Sequence, residues 1–406
     1  MIEIAKLSNG IPVLMDYVDD LKSFTLGIFV KTGARHESQE EYGVSHYIEH
    51  MLFKGTKTRS AKEISEIIDD CGGSMNAYTS RDTTCYYVKM LSDKLDLTLD
   101  IFADMFLNST FTEDNLEKEK NVILEEIKMY EDIPEDTVHD LNLRFALNNE
   151  YGNVVLGTEK TLKSITRERF LNYFNSRYVP ENIGIAIAGN FDKDLLVDFL
   201  EKTFGTMNKD RKDSIETGVF SHNKGENIVK RDCNQVHLCF NTLGLPVNDD
   251  DRYAMAVLSN TLGENMSSRL FQKIREERGL AYSIYSYTTN FTEGGLYTIY
   301  AGTSKDNYKE VINLIKEELN LIKMEGISDK ELQRAQNQIK SMLVFALENS
   351  RGKMIRMWNS YQLYGKVLTV EEIEEQISKV TLEDIKKLAN RIFNEKDFSL
   401  TVLGEV

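Results

Sequence analysis

The spacing of apolar residues changes period along the chain, and each change marks an element. Apolar runs at residues 2–7 and 11–18 flank Asn9-Gly10, a dipeptide that favours a tight turn, so a hairpin is expected there. Residues 23–31 read as a third strand and residues 40–53 carry a helical period. Ser60 with Glu63 forms a capping box that opens a second helix, ending at Cys71-Gly72-Gly73. Strands at 74–79 and 84–91 follow, then helices over 92–108 and 112 to about 130, and a closing strand at 183–188 before Gly189-Asn190.

The second half repeats the order. A strand is expected at 236–241, a helix at 253–262, a hairpin from 281–290 and 295–301, helices at 305–323 and 328–350, and a closing strand at 399–403. Corresponding points lie about 208–216 residues apart: Gly55 with Gly263, Tyr86 with Tyr297, Gly189 with Gly404. This is the pattern of an internal duplication. Residues 208–227 are polar and lack apolar periodicity, and read as a linker. The expected organisation is therefore a domain over 1–207, a linker over 208–227 and a homologous domain over 228–406. Hairpins alternating with helices predict an α+β fold, with helices packed on a mostly antiparallel sheet in each half.

Composition narrows the function. The chain has 406 residues, long enough for two domains, and 41% of them are hydrophobic, enough for a sizeable core. The net charge of −16 disfavours nucleic acid as a partner and suits cationic ligands. No stretch is apolar for long enough to span a membrane, and the first residues do not form a secretory leader, so a cytoplasmic protein is expected. Cys71, Cys85, Cys233 and Cys239 form no CxxC pair and are expected to be reduced thiols.

The chemistry centres on His46-Tyr47-Ile48-Glu49-His50. On a helix, positions i and i+4 share a face, so His46 and His50 can aim two imidazoles at one metal ion. Glu49 flanks the same point, where a carboxylate can act as general base toward a metal-bound water. The pattern HxxEH is a known zinc-peptidase signature. A third ligand is needed, and residues 117–131 are rich in carboxylates. Helical geometry sorts them. Glu119, Ile123, Glu126 and Tyr130 share a stripe with Leu116 and Ile127, whereas Lys118, Asn121, Glu125 and Lys128 form a solvated one. Glu119 and Glu126 are thus the carboxylates suited to a buried role, Glu119 as a ligand or as a group orienting one.

HYIEHMLFKGT, followed 76 positions after His50 by Glu126, resembles the pitrilysin/insulinase family of zinc metallopeptidases. The resemblance extends over the whole chain, through NAYTSRDTTCYY, YVPENIGIAIAGN and MSSRLFQKIREERGLAYSIYS, and is strongest toward bacterial homologues of the mitochondrial processing peptidase beta subunit. It implies zinc held by His46, His50 and Glu126, with Glu49 as general base and Glu119 supporting the site. It implies that Arg275 and Tyr282 are contributed by the second domain to bind substrate and the developing oxyanion. It implies that Asn76, Ala77, Tyr78 and Thr79 form an edge that binds substrate by strand addition, mainly through backbone groups, and that Phe53 lines the wall just after the scissile bond. Asp136 and Asp140 fall where the mitochondrial enzyme recognises an arginine, and as a carboxylate pair on one helix face they suit a guanidinium.

In the second half, Ala254, Val257 and Leu258 stand where His46, Glu49 and His50 stand in the first, so a matching metal site is not expected there. Gly263-Glu264-Asn265-Met266 lacks the glycines of the non-catalytic mitochondrial partner's loop. The resemblance implies a homodimer enclosing a chamber for extended, unfolded, basic peptides. The alternatives are a non-catalytic scaffold or partner subunit of the same fold, and an active subunit that needs a different partner chain.

Overall fold

A computed structural model describes residues 2–147, 149–208 and 218–406. Among these residues the strands are β1 (Glu3–Lys6), β2 (Pro12–Tyr17), β3 (Ser23–Val30), β4 (Ser74–Thr79), β5 (Thr84–Leu91), β6 (Ile183–Gly189), β7 (Gly225–Lys230), β8 (Val236–Leu243), β9 (Ala281–Asn290), β10 (Gly295–Thr303) and β11 (Ser399–Gly404). In the first half the helices are α1 (Val44–Leu52), α2 (Ala61–Asp70), α3 (Leu95–Asn108), α4 (Glu113–Glu131), α5 (Pro134–Ala146), α6 (Glu159–Ser164), α7 (Arg167–Arg177) and α8 (Lys193–Lys202). The second half contributes α9 (Arg252–Gly263), α10 (Tyr308–Glu325), α11 (Asp329–Ala346), α12 (Ser350–Tyr364), α13 (Val370–Lys379) and α14 (Leu382–Ile392).

Among the described residues these strands form two sheets, with orders β1-β2-β6-β3-β5-β4 and β7-β11-β8-β10-β9. Leaving β1 aside, the two orders correspond strand for strand. In both, one pair is parallel, β2 with β6 and β7 with β11, and the others are antiparallel. This is the α+β duplication that the repeated pattern predicts. The detailed match needs one correction. Gly189 and Gly404 both end the closing strand, but carrying that match through the ladders sets Tyr86 against Ile299, two residues from Tyr297. The error keeps side chains on the same face, because strand periodicity is two.

The linker reading also changes. Residues 209–217 lie outside the described part, and the last three residues of the 208–227 stretch belong to β7, paired with β11 from Ser399 onward. Backbone pairing, not apolar periodicity, makes this strand.

The chain divides into two compact units. The first comprises the described residues up to Lys128, those from Asn153 to Asn208, and Ala346–Val367. The second comprises Met129–Gly152, Gly218–Phe345 and Leu368–Val406. These units differ from a contiguous division at 207 and 228, because each half gives one helix to the other's unit. Helix α5 lies on β8 and β11, and α12 lies on β6, β3 and β2. The two helices start 216 residues apart, so the exchange follows the repeat.

In the first unit, α1, α3 and α7 cover one face of the sheet around Phe24, Tyr47, Tyr86, Phe102 and Phe170. The opposite face receives Met354, Met357 and Trp358 of α12 against Leu14, Phe29, Ala186 and Ala188. Trp358 stacks on Phe29 at 5.0 Å between ring centroids. It fills a pit left by Gly184, where an added Cβ would stand 1.8 Å from the indole. The second unit holds α5 differently. The side-chain amides of Asn142 and Asn241 exchange bonds of 2.9 and 2.7 Å, and Asn241 also bonds Ser399 and Thr298.

Two helix boundaries depart from expectation for local reasons. The helix expected at 40–53 starts at Val44 because Gly43, at φ +94°, sets the entry, and Glu37 accepts the N–H groups of Gly43 and Ser45. The helix expected at 328–350 breaks after Ala346, where Asn349 caps a new one by accepting the Gly352 N–H at 2.8 Å.

Candidate metal centre

Helix α1 carries His46, Glu49 and His50, and α4 carries Glu119 and Glu126. The two helices are fastened by bonds near the site. The Tyr47 hydroxyl donates to the Leu116 carbonyl, and the Asn115 amide donates to the Lys54 carbonyl at 2.8 Å. These contacts bring a sequence separation of 76 residues down to one cluster.

Among the described residues, His46, His50 and Glu126 form the group able to hold a metal ion, with one ligand atom from each within 4.8 Å of the others. The Nε2 atoms of His46 and His50 stand 3.9 and 3.6 Å from Glu126 Oε2. Ligands on a tetrahedral zinc, with bonds of about 2.0–2.1 Å, stand roughly 3.3 Å apart. The observed set is slightly wider than that. Its donor chemistry, two imidazoles and one carboxylate, suits zinc and leaves a fourth position for water.

The electrostatics agree with metal binding. Burial, aided by the neighbouring His50, pushes the His46 pKa down to about 3, so this imidazole is held in its neutral, ligating form. Burial also raises Glu126 above the usual carboxylate range, opposed by His50. Such an acid gains most from a nearby cation, which offsets the loss of hydration.

Glu119 is buried, with 6% of its surface exposed. Its Oε2 lies 3.2 Å from His50 Nδ1, the nitrogen that does not face Glu126, and its Oε1 lies 2.7 Å from Lys54 Nζ. A carboxylate in this position fixes the ring orientation and tautomer of a metal-binding histidine. Of the two readings open from sequence, ligand or orienting group, the geometry fits the second. Glu125 points to solvent and pairs with Lys128 at 2.6 Å, as the stripe pattern predicts. Tyr130, assigned to the inward stripe, is 41% exposed: it lies in the last turn of α4, past the covered stretch.

Glu49 is raised by burial, with Glu126 adding to the effect and the Thr79 hydroxyl and His50 opposing it. Thr79 Oγ1 donates to Glu49 Oε2. Among the described residues strand β4, carrying Asn76, Ala77, Tyr78 and Thr79, pairs only with β5 and forms the outer edge of its sheet. Its other edge offers backbone groups suited to an added strand. Phe53 caps the C-terminus of α1 and packs against the core, 6.2 Å from the Tyr86 ring.

The remaining site residues read from the sequence lie in the second unit. The Arg275 guanidinium stacks on Tyr282 at 5.3 Å and on Phe271 at 4.8 Å, and the Tyr282 ring is 76% exposed. Asp136 and Asp140 lie on α5. In α9, Ala254, Val257 and Leu258 are buried core residues, consistent with a single metal centre among the described residues.

Three participants escaped the sequence reading: Lys54, the Thr79 side chain and Glu37. Lys54 falls four residues after His50, just past the helix, so helical periodicity does not reach it. Nothing in the order of residues marks Glu37 as the buried cap of α1.

Residues 13–159 match the family described as insulinase, peptidase family M16, and residues 164–339 match the peptidase M16 inactive domain. The chain is 41% identical over 406 residues to the uncharacterized zinc protease YmxG of Bacillus subtilis, covering 100% of this chain and 98% of that one. It is 37% identical to an uncharacterized zinc protease of Rickettsia felis, over 96% of this chain and 95% of that one. Two solved structures share the fold: a protease from Helicobacter pylori, at TM-score 0.90 and 22% identity, and a peptidase M16 inactive domain from Pseudomonas fluorescens, at TM-score 0.91 and 20% identity. The first covers 100% of this chain and 99% of its own, the second 100% and 98%. The chain belongs to the insulinase family, peptidase family M16, and holds in its first unit the His46–His50–Glu126 centre of a zinc metallopeptidase.

Proposed function

We propose that this metalloendopeptidase is of the processing-peptidase branch and cuts extended, unfolded, basic peptides, with Glu49 as general base. The observation that supports the reading best is the convergence of His46, His50 and Glu126, with Glu49 on the same helix as the two histidines. Bound zinc supplies Lewis-acid polarisation of a carbonyl and lowers the pKa of a bound water toward about 7. The residues of the chain do the rest. His46 and His50 ligate through Nε2, and Glu119 holds the His50 ring from Nδ1, backed by Lys54. Glu49 takes a proton from the attacking water and delivers it to the leaving amine.

Substrate aligns along β4, where main-chain hydrogen bonds to the 76–79 segment tolerate many sequences and side chains add little. Phe53 is assigned to the residue after the cut, and Arg275 with Tyr282 to the substrate carbonyls and the oxyanion. Asp136 and Asp140 are assigned to a substrate arginine. The net charge of −16 favours basic peptides in the same way. The assembly is proposed to be a homodimer with a closed chamber in the cytoplasm, because metal ligands and the Arg275–Tyr282 pair occur in one chain. Among the described residues no helix is long and apolar enough to cross a membrane.

The test is a cleavage profile on a peptide library, with the protein's size measured in solution. A preference for arginine near the cut that weakens in the Asp136→Ala, Asp140→Ala double variant supports the specificity assignment. An unchanged preference removes it, and an inactive monomer that gains activity on adding a second chain replaces the homodimer.

A further inference from the structure

Strand β4 ends at Thr79, and the turn after it is tightly fixed. Ser80 N–H donates to the Thr83 carbonyl at 2.8 Å, the Ser80 hydroxyl donates to the same carbonyl at 2.9 Å, and Thr83 N–H donates back to that hydroxyl at 3.0 Å. The Thr84 hydroxyl then donates to the Thr32 carbonyl at 3.0 Å, tying β5 to the segment that follows β3. Thr79 is therefore held from both sides: by its ladder to Thr84 and by a pinned turn. Its β-branched side chain has few rotamers, so a fixed backbone gives a fixed hydroxyl.

That hydroxyl donates to Oε2 of Glu49, and among the described residues Oε1 accepts no protein hydrogen bond. One carboxylate oxygen is thus anchored while the other is left for water. A free glutamate side chain has three torsions to order, and a misplaced base loses rate steeply.

We infer that Thr79 is a positioning residue for the general base: its side chain sets the Glu49 carboxylate while its backbone belongs to the edge that receives substrate. The inference rests on Glu49 acting as base. The Thr79 proton stays on its own oxygen throughout, and the water proton goes to the free Oε1. The side chain has a function separate from the backbone role assigned to residues 76–79, and it links the strand that binds peptide to the group that activates water.

The experiment compares Thr79→Val, Thr79→Ser and Glu49→Gln on an internally quenched extended peptide, with zinc content and melting temperature measured for each. Thr79→Val keeps the shape and removes the donor. It should lower kcat about 10- to 100-fold, the usual weight of a hydrogen bond to a charged group, with KM and zinc content unchanged. Thr79→Ser should restore kcat to within a few-fold of wild type. Adding Thr79→Val to Glu49→Gln should cause no further loss, since the two act as one unit. Should Thr79→Val fold poorly, Thr79→Ala must show the same kcat loss at unchanged KM. Wild-type kcat in the valine variant, a loss confined to KM, or failure of serine to restore turnover would each overturn the inference. Full activity in Glu49→Gln would instead remove the general-base reading on which it stands.

Discussion

Replacing Trp358 by alanine should weaken the unit that holds the metal centre, although the residue comes from the other half of the chain. The magnitude follows from its surroundings. Trp358 is fully buried, stacked on Phe29 and seated over Gly184. A tryptophan buries roughly 150–250 Å², which at about 25 cal/mol per Å² is roughly 4–6 kcal/mol of transfer free energy. That is an upper figure, since the unfolded chain already shields part of its apolar surface. Among the described residues the indole N–H has no hydrogen-bond partner, so its removal relieves a penalty and lowers the net loss. An expected loss of about 3–4 kcal/mol results, in the range seen for large aromatic truncations. Against a domain stability of about 5–15 kcal/mol this is a large share. Denaturant unfolding followed by far-ultraviolet circular dichroism measures it. Trp358 is the chain's one tryptophan, so in the wild type its fluorescence reports on this unit alone. A loss below about 1 kcal/mol in the alanine variant would refute the packing of α12 into the first sheet.

Two further outcomes follow from the same contacts. Lys54→Met removes the cation 2.7 Å from Glu119, leaving a buried carboxylate with less to orient it toward His50, and should raise the zinc dissociation constant about 10-fold in a competition assay against a chromophoric chelator. An unchanged constant would disconnect Lys54 from the site. Asn142→Leu removes the two bonds that the buried Asn241 amide exchanges with Asn142, leaving those to Ser399 and Thr298, and should destabilise the second unit by about 1–3 kcal/mol, whereas removing both amides together should be less severe than the two single losses added. Strictly additive losses would show that the pair is not coupled.

The sequence carried the repeat and the metal helix well, for reasons that are local. Strand and helix periods mark which face of an element is apolar, and HxxEH places its donors by helix geometry alone. The stripe on α4 likewise separated Glu119 and Glu126 from Glu125. Periodicity did not show which sheet a helix covers. The exchange of α5 and α12 depends on matching shapes, Trp358 with the Gly184 pit and Asn142 with Asn241, and such matches lie 174 and 99 residues apart in the chain. Similarly, Lys54 and Thr79 reach Glu119 and Glu49 from loop and strand ends, where no helical period applies. Glu37 reads as a loop acid among Glu40 and Glu41, and only the fold turns it inward toward the first amides of α1.

The central claim is that His46, His50 and Glu126 hold zinc while Glu49 moves the proton. Its most direct test is the Glu49→Gln variant, assayed for bound zinc and for hydrolysis of an extended peptide in one preparation. The account predicts one zinc per chain, as in the wild type, with turnover lower by about 10²–10⁴-fold, the usual weight of a general base. Wild-type turnover at full zinc occupancy would contradict it.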